Sequence, residues 1–228
     1  MLNCNFCNKE LKQRNGICKF CKLSNLPRIL VDFEIKKLLE EEQIEILPIL
    51  NMKEQISPFG FDLTLDTKFK KVIKTDNKYL DPILKPTSSS QYYEPVELLL
   101  GNKDDNYILH PGDFALGQSY EFIVLPDFIV GGLDGKSSLG RLGVTVHTTA
   151  ASIDPGFRGH ITFELYNAGS LPVILHPLQP VAKLILHLTE KAKKPYKGKY
   201  SAQTEVRASQ YHESAFSKIL SKQTKSIP

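Results

Sequence analysis

GGLDGKSSLGRLGVTVHTTAASIDPGFRGHITFELYNAGSLPVILHP, residues 131–177, is the stretch whose reading decides the fold. Within it, HITFELYN (160–167) alternates Ile161, Phe163 and Leu165 with His160, Thr162, Glu164 and Tyr166. A period of two in apolar character belongs to a β-strand with one buried face. Glu164 therefore stands on the opposite face, turned from the core toward solvent or a pocket. Upstream, Gly135, Lys136, Ser137 and Ser138 supply a turn, a cation and two hydroxyls, a set suited to phosphate oxygens. Taken alone neither feature is specific, because Gly/Ser turns are common connectors and a strand's outward Glu is usually just solvated.

Outward from this block, the chain continues as short apolar runs broken by Pro, Gly, Asn and Asp. They are IEILPIL (44–50), GFDLTLDTKF (60–69), YILH (107–110), YEFIVL (120–125), LPVILH (171–176) and VAKLILHLT (181–189). So many strands without intervening helices predict an all-β barrel or sandwich, not a doubly wound α/β sheet. One helix is expected, DFEIKKLLEEEQ (32–43), with Asp32 as N-cap and Phe33, Ile35, Leu38 and Leu39 as its apolar stripe. No internal repeat is visible. Asp81 to Gln91, with two prolines and a Ser run, reads as a surface loop.

The chain has 228 residues, 41% hydrophobic and 24% charged, enough for one sizeable core plus a small appendage. Its net charge of +4 comes from the two ends. Met1 to Arg28 holds six Lys/Arg against one Glu, and Glu190 to Pro228 holds nine against three. Basic ends are usually solvated tails, and they also suit phosphate ligands. The polar stretch after Glu190 is expected to order only against a ligand or neighbour. No apolar run reaches the roughly 18 residues of a membrane span, and the start lacks a signal's apolar stretch. A cytoplasmic protein without membrane attachment is expected.

All four cysteines lie within the first 21 residues, as Cys4 and Cys7, then Cys18 and Cys21. Two pairs at this spacing suit four thiolates around tetrahedral zinc, with two disulfides as the alternative. Four thiolates leave no open coordination position, so such a zinc is structural and stabilises a segment with too few apolar residues to fold alone. Its partner, nucleic acid or protein, is not legible.

The quoted block, with several others, resembles the dCTP deaminase and dUTPase superfamily, and specifically its deaminase branch. Similar stretches are Leu30 to Pro48, SPFGFDLTL (57–65), LHPGDFALGQSYEFIVLP (109–126), GKSSLGRLG (135–143), HTTA (147–150), IDPGFRGHITFELYN (153–167) and YKGKYSAQ (196–203). SSLGRLG, followed by a Glu in the strand after IDPGF, separates the deaminase branch from plain dUTPases. The resemblance implies a mainly β, dUTPase-like distorted barrel or jelly-roll core over 29–190, with a short N-terminal helix. A small zinc ribbon (1–28) precedes it, and a basic segment (191–228) closes over substrate.

By the same resemblance, Glu164 is the general acid/base that deprotonates a water attacking C4 of cytosine and then protonates the departing amine, turning dCTP into dUTP and ammonia. Ser137 and the carbonyl of Ala150 hold that water, and Arg141 orients Glu164 and supports the developing charge. Asp154 and Phe157 meet the deoxyribose. Lys136, Ser138, Tyr196, Lys199, Tyr200 and Gln203 fit the nucleotide and its triphosphate, with Mg²⁺ carried on the phosphates. Relatives are homotrimers with active sites between subunits, and dTTP feedback occurs among them. Zinc-dependent nucleobase deaminases use His-x-Glu with Pro-Cys-x-x-Cys, and neither motif occurs here.

Three departures stand out. Lys136 replaces the family's common Arg, keeping charge but losing the bidentate fork. PLQPVAKL (177–184) places Lys183 where Gln is common. TAAS (149–152) has small residues, as in bifunctional members. A bifunctional dCTP deaminase/dUTP diphosphatase, with Asp154 as hydrolytic base, is therefore an alternative, as is a dUTPase. A non-catalytic regulator binding nucleic acid or protein is the third.

Overall fold

The computed structural model describes residues 27–73, 75, 79–83, 92–211, 214 and 217–219. Cys4, Cys7, Cys18 and Cys21, and most of the expected loop from Asp81 to Gln91, lie outside them. The first half comprises β1 (Arg28–Ile29), α1 (Asp32–Glu40), β2 (Glu45–Leu47), α2 (Met52–Gln55), β3 (Ile56–Ser57), β4 (Gly60–Val72), β5 (Tyr93–Glu97) and β6 (Tyr107–Leu109). The second comprises β7 (Phe114–Val124), β8 (Ile129–Gly135), α3 (Ser137–Gly140), β9 (Val144–Thr145), β10 (Ser152–Ile153), β11 (Arg158–Asn167), β12 (Val173–Leu175) and β13 (Pro180–Leu188).

The chain is thus mainly β, as its alternating runs imply. Eleven strands form one antiparallel sheet whose central order is β10-β8-β13-β4-β7-β11-β9, and β12 pairs with β6 apart from it. The 13-residue β4 joins the halves. Its first part pairs with β13, Phe61 opposite Leu184, and its later part with β7, Phe69 opposite Gly117. Register shifts at Leu65/Phe69 and at Pro180/Ala182 mark where the ladder breaks. Such irregularities bend strands and let one sheet curl on itself.

Inside the curl lie Phe61, Leu63, Leu65, Phe69, Phe163, Leu165, Leu184 and Leu186, all buried. Beneath them is one fully buried carboxylate, Glu121. Burial raises its pKa, opposed by hydrogen bonds from the Thr64 amide and hydroxyl and from Gln55. Gln55 also donates to the Asp62 carbonyl at 3.2 Å, tying α2 to the strand that carries Asp62.

One expectation needs correction. α1 begins with Val31 rather than Asp32 at the N-cap and ends at Glu40 rather than near Gln43. Glu34 reaches back to accept from the Val31 amide, and Glu42, at φ 54°, turns the chain so that the Gln43 amide closes on Leu38. Phe33 is 63% exposed, so the stripe is Ile35 and Leu38 with Leu39 at its edge. The polar segment after Glu190 packs on the core in this structure. Up to residue 211 it lies on the barrel: Gln203 bridges Gly159, and Val206 and Ala208 are buried against Leu116. Among the described residues, no helix is long and apolar enough to cross a membrane.

Candidate active site

β8 runs directly into α3, with Lys136 at the N-cap. Buried Leu139 anchors this single turn, leaving Ser137, Ser138 and Arg141 exposed. Lys136 Nζ instead turns inward to an ion pair with Asp62 Oδ2, and Asp62 Oδ1 is buried without a hydrogen-bond partner. The turn after α3 is pinned by a close approach of two glycines. A Cβ on Gly143, at φ +87°, would meet the Gly169 amide nitrogen at 2.5 Å, so only glycine fits. This contact docks α3 and β9 against the end of β11.

On β11, the alternation read from the sequence holds. Phe163 and Leu165 are 0% exposed and Glu164 between them is half-buried on the outer face. The Glu164 amide donates to the Val146 carbonyl at 2.9 Å, and the Thr148 amide donates to Glu164 Oε2 at 2.7 Å. The loop carrying Ala150, itself exposed, thereby clasps the Glu164 carboxylate. Tyr93 shares this face. It packs with Leu116, Val206 and Ala208, and Leu116 is the cross-strand partner of Glu164. Burial first, and then the negative charge of Glu164, raise the Tyr93 phenol above its ordinary value, so it stays protonated.

A cleft of about 580 Å³ opens beside β10. Asp154, Phe157, Tyr196, Lys199 and Tyr200, five of the residues expected at substrate, line it together. The Phe157 and Tyr196 rings lie 6.1 Å apart, the Tyr200 amide donates to the Tyr196 hydroxyl at 3.2 Å, and Lys199 Nζ sits 5.2 Å from the Tyr200 ring. An acid, two tyrosines, a buried phenylalanine and a lysine around one opening suit a ligand with a ring and an anionic end. Gln203 does not line this cleft. The residue is 3% exposed, with Nε2 donating to the His160 carbonyl and to Thr162 Oγ1.

One chain therefore brings Glu164 to the Ala150 loop and five cleft residues to each other. Among the described residues, no hydrogen bond joins Glu164 to Ser137, on α3, or to Arg141, at its C-cap. Thr148, Tyr93 and Asp62 went unnoticed in the sequence. Only the acid of GFDLTL, beside a predicted buried run, offered any signal for one of them.

A protein from Methanosphaera stadtmanae named dCTP deaminase, dUMP-forming, is 41% identical over 191 residues, covering 81% of this chain and 94% of that protein. A protein of the same name from Methanothermobacter thermautotrophicus is 38% identical, covering 79% and 92%. Among solved structures, a 2′-deoxycytidine 5′-triphosphate deaminase from Agrobacterium tumefaciens shares the fold with a TM-score of 0.55 at 21% identity, over 71% of this chain. The present chain spans about half of that one, 48%. The family described as dCTP deaminase-like matches residues 29–189, and the chain belongs to it.

Proposed function

We propose that this chain converts dCTP to dUMP, releasing ammonia and diphosphate. The observation that carries this reading is that relatives named dUMP-forming match it over more than nine-tenths of their own length. The small residues Thr149 to Ser152 around the loop agree with it.

In the first step Glu164 takes a proton from a water that Ser137 and the Ala150 carbonyl hold, and the oxygen adds to C4 of cytosine. Arg141 supports the charge of the tetrahedral intermediate. Glu164 then delivers the proton to the amino group, the C4–N bond breaks and ammonia departs. In the second step a water, with Asp154 as base, attacks the α-phosphorus. The bond to the bridging oxygen breaks, leaving dUMP and diphosphate.

Phe157 packs on the deoxyribose, with Tyr196 beside it, while Lys199 and Tyr200 meet the phosphates together with Ser138. Lys136 keeps further N–H donors for phosphate while paired with Asp62. Gln203 would first have to leave His160 and Thr162. Mg²⁺ rides on the triphosphate. Among the described residues no hydrogen bond joins Ser137 or Arg141 to Glu164, and a neighbouring copy supplies them, in a homotrimer with shared sites. The zinc on Cys4, Cys7, Cys18 and Cys21 is structural, at one ion per chain.

The test is incubation of the purified protein with dCTP and Mg²⁺, followed by separation of the nucleotides. dUMP, diphosphate and ammonia in equal amounts are expected. Accumulation of dUTP with ammonia would reduce the activity to deamination alone, and hydrolysis of dUTP without action on dCTP would make the chain a dUTPase. A further finding would overturn the structural zinc: a zinc-stripped protein that loses deamination and regains it only with zinc.

A further inference from the structure

Where α1 ends and β2 begins, the structure opens a groove of about 470 Å³ that the proposed chemistry does not use. Its floor includes Leu47, Ile49 and Met52, and Leu47 is 57% exposed. Glu40, Glu42 and Glu45 stand around it. Glu40 meets Lys36 at 3.8 Å, a mostly exposed pair of little strength. Glu42 and Glu45 have no ion-pair partner among the described residues. β2 itself pairs only with β7 among those residues, so an apolar, acid-rimmed trough adjoins a strand edge.

We propose that residues 1–26, the segment bearing the four cysteines, dock into this groove of their own chain. The segment carries Lys9, Lys12, Arg14, Lys19 and Lys22 against Glu10 alone, a net of five minus one, or +4. A zinc tetrathiolate centre subtracts about two charges and leaves it basic, complementary to the rim. Leu2, Phe6, Leu11, Ile17 and Phe20 supply apolar partners for the floor.

The tether also fits. Arg28 is paired with Glu34 of α1, so the described residues begin beside the start of that helix. α1 has nine residues, about 14 Å in length at the usual helical rise. Five extended residues span roughly that distance, well within the segment's length. A tethered segment faces its groove at an effective concentration of order millimolar, so a modest surface suffices.

Hydrogen–deuterium exchange over residues 44–52 tests this in three proteins: the full chain, a chain beginning at Pro27, and the full chain with Glu42→Lys and Glu45→Lys. Exchange at least threefold slower in the full chain than in both others, unchanged by dilution and weakened by salt, is expected. Equal exchange in all three overturns the proposal. Protection that fades on dilution overturns it as well, because a second copy is then the occupant. If truncation loosens the whole barrel, the charge-reversed full chain decides, and retained protection there defeats the proposal.

Discussion

The backbone N–H of Thr148 donates to Glu164 Oε2 at 2.7 Å, joining the loop that carries Ala150 to the one outward carboxylate of β11. One oxygen of Glu164 is thereby fixed, and the other has no hydrogen-bond partner among the described residues. That is a suitable posture for a group that takes a proton and returns it. Glu164→Gln keeps the shape and the Thr148 contact while removing the base. Turnover of dCTP should fall roughly 100-fold or more, with nucleotide affinity retained. Steady-state kinetics beside a binding titration decide it, and near-normal turnover removes Glu164 from the chemistry.

How far the sequence reached depends on how local each signal is. The alternation in HITFELYN put Glu164 on the correct face because strand geometry is set residue by residue: Phe163 and Leu165 are fully buried on either side. Phe33 was misplaced because helical spacing in a nine-residue element leaves room for more than one stripe. The contacts that Gln203 makes within the chain could not be read from its surroundings. Its partners His160 and Thr162 lie 43 and 41 positions away, and nothing near Gln203 announces them. The Lys136–Asp62 pair, 74 positions apart, was equally hidden, so Lys136 looked free for phosphate alone.

That pair makes a prediction of its own. Asp62 is 8% exposed, and its second oxygen already lacks a partner. Removing the cation should therefore harm the fold more than removing the anion. Lys136→Met is expected to cost about 2 kcal/mol and Asp62→Asn about 1, since a buried carboxylate left unpaired is the worse outcome. Urea unfolding of the two variants gives the order, and a reversed order would refute it.

Tyr107 predicts a dependence on alkaline pH. Burial, then the charges of Asp113 and Glu94, push its phenol from 10.0 up to about 12. The folded state thus keeps a proton that the unfolded chain releases first. The associated stability is present below pH 10 and is lost as pH rises toward 12, about 2 kcal/mol for a shift of this size. Tyr107→Phe retains the stacking on Phe69, at 4.4 Å, and should flatten that part of the curve. Urea midpoints at pH 8 and pH 11 measure it, and an equal loss in both proteins would assign the effect elsewhere.

The tail combines two tasks in the fold. Tyr196, Lys199 and Tyr200 wall the cleft, while Gln203, Val206 and Ala208 fasten the same segment to β11 and β7. Ending the chain after Glu190 should raise KM for dCTP about tenfold and lower kcat as well, because closure over the nucleotide is lost. Circular dichroism checks that the barrel persists. Unchanged kinetics in that folded truncation would show that the tail takes no part.

Arg141 and Glu164 offer the sharpest test of assembly, since they make no hydrogen bond to each other within the chain. If a site takes Glu164 from one copy and Arg141 from its neighbour, Glu164→Gln and Arg141→Ala fail for different reasons. Each homomeric variant should be nearly inactive. Mixed rings, formed by refolding the two together in equal amounts, would contain sites in which an intact Glu164 meets an intact Arg141. In a randomly mixed closed ring about a quarter of the sites qualify, so activity should return to roughly that fraction of wild type. If both residues come from the same copy, every site keeps one defect and no activity returns. Sizing by analytical ultracentrifugation, run on the same samples, establishes that mixed rings formed, so that silence in the assay counts against a shared site rather than against the mixing.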